Sequence, residues 1–196
     1  LNLCRRLRSQ GTLSSDEISD RLAHFGGPFS AWICSKDLEL VSFSPEEFVR
    51  IDRVEGRHHM TTSPIKGTIA RGKNDAQDIE NMKALSDSAK DRAKLTMIID
   101  LMRNDMLHVC DFGSVKVSSP GALKTFANVH HLVGEIEGQL SLHVTMLDVM
   151  KSLCPSGSIT GAPKKAVMSA IRNYEQSPRN YFMGNCKLLC RFLQVN

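Results

Sequence analysis

The sequence predicts mixed α+β or α/β layers, and three observations carry the expectation. Residues 129–137 alternate as a half-buried strand does, residues 78–106 repeat apolar side chains every three or four positions, and hairpin-like segments stand among such helices. No internal repeat or low-complexity tract interrupts them. The six cysteines lack C-x-x-C and the crowding of a disulfide scaffold, so they read as reduced thiols of a cytoplasmic compartment. The 196 residues carry a net charge of +4 with acids and bases interspersed, too small and too mixed for a nucleic-acid or polybasic membrane surface. The best apolar run, residues 95–99, contains a threonine and falls far short of the ~18–20 residues of a membrane helix.

The elements follow in order. Gly26-Gly27-Pro28 signals a turn, and Ala31 to Cys34 with Leu38 to Phe43 reads as a hairpin around Ser35-Lys36-Asp37. Ser44-Pro45-Glu46-Glu47 has a helix-start pattern, with Ser44 at the N-cap and acids in the first turn. A strand is expected through His59 to Thr62 into Pro64. One helix is expected from Asp78 to about Met106, its apolar stripe running Ile79, Met82, Leu85, Ala89, Ala93, Met97 and Leu101. Val115 and Val117 mark a strand over residues 113–119. In residues 129–137 the alternation puts His131, Val133 and Glu135 on one face and His130, Leu132 and Ile136 on the other. A helix from Thr145 to about Leu153, a Pro/Gly/Ser loop, and a helix from Pro163 to about Tyr174 complete the series.

Three places carry chemistry. In Pro155 to Lys165 two glycines and two hydroxyls precede Pro163, so backbone N–H groups and a positive helix end converge on one spot suited to an anion; a plain helix-start loop with two solvated lysines fits as well. It lacks the Gly-Lys-Ser/Thr of a Walker loop. Lys66, between Ile65 and Gly67 at a strand end, is either an exposed lysine or a desolvated nucleophile, with Thr68 offering a hydroxyl. His131 reads as a packing histidine or as a base, and Glu46 as a first-turn acid. His58-His59 and the scattered cysteines give no metal spacing.

These islands occur in a telling order: Ser44-Pro45-Glu46; Pro64 to Thr68 with Arg71-Gly72; Ser88 to Ala93; Met97 to Asp105; Gly113 to Val115; Val129 to Val133; and Gly157 to Lys164. In them the chain resembles the chorismate-binding enzymes, the family of anthranilate synthase component I, aminodeoxychorismate synthase component I, isochorismate synthase and salicylate synthase. The resemblance implies a two-layered α/β sandwich of the anthranilate synthase component I type, of which residues 1–184 would carry the middle, incomplete at both ends. Lysine before Gly-Thr is typical of the aminodeoxychorismate synthase branch. Lys66 would then be the nucleophile, Glu46 the general acid, and His131 a positioning residue. Gly67, Thr68, Gly157, Ser158, Thr160, Gly161, Ala162 and Lys164 would bind substrate. Chorismate is the implied substrate and ammonia from a glutamine amidotransferase subunit or domain the second one. The compartment implied is the cytoplasm, or a plastid for a plant source.

Departures from the family pattern are visible too. The resemblance implies Mg²⁺, yet Lys94 stands where the family places a ligating glutamate, and an ammonium repels such an ion. Phe182 and Asn180 replace a tyrosine and a glycine, and residues 185–196 form a divergent tail. The expectation is therefore that this chain itself is inactive. Anthranilate synthesis, or a non-catalytic remnant that binds a partner subunit, are the alternatives.

Overall fold

The computed structural model describes residues 1–4, 7, 10–36, 38–175 and 177–179. In chain order the elements are α1 (Ser15–Phe25), β1 (Ala31–Cys34), β2 (Glu39–Ser42), β3 (Arg50–Val54), β4 (Arg57–Thr62), β5 (Ile65–Ala70), α2 (Asp75–Asp87), α3 (Ala89–Leu107), β6 (Lys116–Thr125), β7 (Val129–Gln139), α4 (Met146–Leu153), α5 (Gly157–Thr160) and α6 (Lys164–Tyr174). They fall into two compact units, Phe48–Ser158 and the remainder, Leu1–Glu47 with Ile159–Asn196.

The unit Phe48–Ser158 holds a five-stranded antiparallel sheet whose spine is β7. β4 pairs with the C-terminal half of β7 and β5 with its N-terminal half, while β6 pairs along nearly its whole length; β3 extends the sheet beyond β4. The alternation expected for β7 holds: His130, Leu132 and Ile136 are buried, His131 and Glu135 are not, and Val133 is buried as well. Helix α3 supplies the second layer. Leu95, Ile98, Ile99, Met102 and Met106 form its buried stripe and join Met60, Leu132 and Ile136 in one core, with roughly 1.5–3 kcal/mol of transfer free energy for each large side chain.

The helix expected over residues 78–106 is two helices. Ser88 caps the end of α2, and its side chain accepts from the Asp91 N–H to start α3. Ile79 is already exposed on α2, and restarting the helix resets its phase, so Ala89, Ala93 and Met97 are exposed too and the buried stripe of α3 lies on another face. The expected strand at residues 113–119 runs instead from Lys116 to Thr125, absorbing Pro120-Gly121 through two register shifts.

In the other unit, β1 and β2 form the expected hairpin, pairing Ala31 with Ser42 and Cys34 with Glu39. Helix α1 begins on a reciprocal capping box between Ser14 and Glu17. No helix starts at Ser44. Its hydroxyl bonds the Glu46 backbone two residues on, a tight turn, and the chain then enters β3. The loop before α6 contains the single turn α5, and Pro163 occupies the N-cap of α6 rather than its first helical position. Among the described residues Cys4, Cys34, Cys110 and Cys154 form no disulfide; Cys186 and Cys190, with Asn180, Phe182 and the tail, lie outside the described residues. No described helix is long and apolar enough to cross a membrane.

Candidate active site

Lys66 is the second residue of β5, not at a strand end, and it sits in a bulge. Ile65 pairs with Val133 and Thr68 with His131, so three steps on β5 oppose two on β7. The extra residue re-aims a side chain that regular alternation would place elsewhere. Gly67 makes the bulge possible: its φ is +84°, and a Cβ there would lie 3.0 Å from both Asp91 Cβ and Leu85 Cδ1. The expectation that Gly67 serves a ligand therefore gains a second reason, the close approach of β5 to the α2–α3 junction.

The half-buried Lys66 ammonium donates to the Ile65 carbonyl at 2.9 Å and to Ser158 Oγ at 3.3 Å. Ser158 is itself held. Its N–H donates to Ser156 Oγ at 3.3 Å, Ser156 is buried with its hydroxyl 3.9 Å from Met102 Sδ, and a Cβ on Gly157 would fall 2.0 Å from Leu101 Cδ2. Only glycine lets this turn lie so close to α3.

Two residues further on, Thr68 Oγ1 is 2.8 Å from His131 Nδ1, and the His131 ring meets Phe126 edge-on with centroids 5.3 Å apart. The fold thus joins Lys66 to Ser158 and Thr68 to His131. Glu46, Thr160, Gly161, Ala162 and Lys164 belong to the other unit. There the buried Thr160 accepts the Asn2 N–H through its carbonyl, Gly161 has φ +113°, and Lys164 opens α6, which has no side-chain cap.

Asp91 accepts from Ser88 Oγ at 2.7 Å, and Lys94 Nζ is 3.4 Å from its Oδ1. The Ser88 hydroxyl first, then the Lys94 ammonium, hold its carboxyl below the usual range. An ammonium paired this way does not suit Mg²⁺, and among the described residues no group of three His, Cys, Asp or Glu side chains is placed to hold a metal. The Lys94–Asp91 pair does not fit the ion.

One polar cluster exceeds what sequence reasoning assigned. Asp78 accepts from Arg71 Nε at 2.9 and 3.0 Å, from the Gly72 N–H at 2.6 Å and from His130 Nε2 at 2.9 Å. A carboxylate only accepts, so in the neutral ring Nε2 carries the hydrogen and Nδ1 takes the Thr125 hydroxyl at 2.9 Å. Arg71 above all, then the Gly72 N–H and His130, hold the Asp78 carboxyl far below the ordinary carboxylate range. The available signal was Arg71-Gly72, followed by an acid one helical turn into α2.

The chorismate binding enzyme family matches residues 1–192. Aminodeoxychorismate synthase component 1 of Salmonella typhimurium is 42% identical over 160 residues, which are 81% of this chain and 34% of that protein. Its counterpart from Escherichia coli is 41% identical over 158 residues, again 81% and 34%. Among solved structures, anthranilate synthase component I from Streptococcus pneumoniae superposes with a TM-score of 0.71 at 25% identity, covering 86% of this chain and 36% of that one. The chain spans about a third of the length of these relatives. With the family matched over nearly the whole chain and relatives about 40% identical over 81% of it, the chain belongs to the chorismate binding enzyme family.

Proposed function

We propose that this chain is the segment of an aminodeoxychorismate synthase that carries the nucleophile, and that the reaction converts chorismate and ammonia to 4-amino-4-deoxychorismate and water, a step toward folate. The observation that supports this most is the placement of Lys66, re-aimed by the β5 bulge and held by the Ile65 carbonyl and Ser158 Oγ. Two relatives at about 40% identity carry that name.

The chemistry needs a neutral amine at Nζ. It forms a bond to C2 of the ring as the C4 hydroxyl, protonated by a general acid, the role the family resemblance gives Glu46, leaves as water; the amine then gives up its extra proton to that acid's conjugate base. Ammonia bonds to C4 as the C2–N bond breaks, and the extra proton of the new C4 nitrogen passes to the departing one, returning Lys66 as an amine. A hydroxyl is a poor leaving group, so the acid and the covalent detour each lower a separate barrier. Thr68 fixes His131 beside this strand, and the backbone around Gly161 to Lys164 is the proposed seat of substrate carboxylate. Ammonia would reach the site from a glutamine amidotransferase subunit or domain. No step is assigned to Mg²⁺.

A second reading, a non-catalytic remnant, is favoured by the Lys94–Asp91 pair at the implied metal position. Incubating an intact enzyme that carries this segment with chorismate and ammonium and identifying the product by mass separates the readings. Aminodeoxychorismate, lost in K66A, supports the proposal; anthranilate overturns it; no product with retained chorismate binding by calorimetry favours the remnant.

A further inference from the structure

We infer that Ser158 is a positioning residue that, with the Ile65 carbonyl, aims the lone pair of the Lys66 amine. The inference rests on the reading of Lys66 as nucleophile for its meaning, but its geometry stands without it. A neutral primary amine has two N–H bonds and one lone pair. Two acceptors, Ile65 O at 2.9 Å and Ser158 Oγ at 3.3 Å, are the number that engages both hydrogens and leaves the lone pair pointing in one direction. A lysine on a four-carbon stem otherwise samples many directions, and an amine that must meet a ring carbon at near-attack distance loses rate with each of them.

The two acceptors differ in how they are supplied. Ile65 O belongs to the strand itself and is present in any sequence. Ser158 is brought in by a dedicated arrangement: Gly157 permits contact with Leu101 that no Cβ allows, and Ser156, buried beside Met102, accepts the Ser158 N–H. Helix α3 therefore sets the position of the hydroxyl. Thr68, the next polar residue on β5, is engaged by His131 instead, so it does not compete for the amine.

The test is site-resolved competitive acylation of the full chain with trace acetic anhydride, read lysine by lysine by mass spectrometry. The exposed Lys83 and Lys116 serve as internal references. Normalised to these references, S158V should slow Lys66 labelling about fivefold, since the amine loses one of the two acceptors that support its lone pair, the effect of one net hydrogen bond, whereas S158T, which has the same branching but keeps a hydroxyl, should preserve the rate. Unchanged Lys66 labelling in S158V, with Lys83 and Lys116 unaltered, overturns the inference. So does equal slowing by S158T and S158V, which would mark a packing effect. Because labelling needs no turnover, an anthranilate product or no product would sink the functional reading while leaving this result to stand or fall alone.

Discussion

The Asp78 knot and the Lys66 neighbourhood lie on the same strand, β5 and its exit, and satisfy their polar groups in opposite ways. At the knot one carboxylate gathers a guanidinium, a backbone N–H and a fully buried imidazole, whose second nitrogen is taken by Thr125. Around Lys66 the ammonium makes two contacts, at 2.9 and 3.3 Å. A buried polar group left unpaired is expensive, so a structural cluster closes every valence. A reactive amine must keep one valence open, and it is held only as tightly as its direction requires. The comparison teaches which histidine and which cation belong to the scaffold.

The largest expected effect tests that division directly. H130A should cost about 2–4 kcal/mol in urea unfolding, through the cavity and the loss of a partner to Thr125 and Asp78, while H131A, half-exposed, should cost less than about 1 kcal/mol. Equal losses would erase the distinction. Next in size, G67A should destabilise by about 1–3 kcal/mol, since an L residue is strained at φ +84° and the new Cβ meets Asp91 and Leu85. A neutral G67A would mean the bulge relaxes freely.

Acid unfolding sharpens the comparison further. The Asp78 carboxyl titrates well below its ordinary value of 3.8, so the folded state keeps it ionised where the unfolded chain binds a proton. Its contribution is complete above about pH 4 and is lost as the pH falls toward the folded value. D78N should therefore flatten the fall in stability below about pH 4. An identical acid limb in D78N would show that other carboxylates govern it. At the alkaline end, burial and then Asp111 push the Cys110 thiol up to about 11. At pH 8 a maleimide should modify the exposed Cys34 first among the described thiols and Cys110 last.

How far these regions were legible in the sequence follows from what each depends on. The faces of β7 follow from alternation alone, and the β1–β2 hairpin from its turn residues, because both are local. The bulge at Lys66 depends on where β5 registers against β7, sixty residues away, and no local pattern encodes it. Ser44-Pro45-Glu46 carries a helix-start pattern, but the chain that follows packs Val49 against the core and then Ile51 from β3, and tertiary packing overrides the cap signal. At Ser88 the apolar period continues across a residue that caps both neighbouring helices, so the stripe is placed on the wrong face from Ala89 onward. The Ser14–Glu17 box has a local S-x-x-E signature, although α1 is not among the elements expected from the sequence. Lys66, Ser158, Thr68 and His131 were all named from motifs, and only their pairing needed the fold.

The smallest expected effect concerns Lys94. It is half-exposed, and Asp91 keeps its Ser88 partner whatever stands at position 94. Exposed pairs of this kind contribute little, so K94M should leave the melting temperature within about a degree or two. K94E is more telling. It puts two carboxylates three residues apart on α3, where they repel, and a small fall in melting temperature is expected without added cation. If position 94 is what disfavours Mg²⁺, the ion should restore that loss in K94E by binding the folded state, and should do nothing to the unmodified chain. A Mg²⁺-dependent rise in the unmodified chain would mean that oxygen ligands other than position 94 gather the ion. The same titration run on K94M separates a site opened by removing the ammonium from one created by adding the carboxylate.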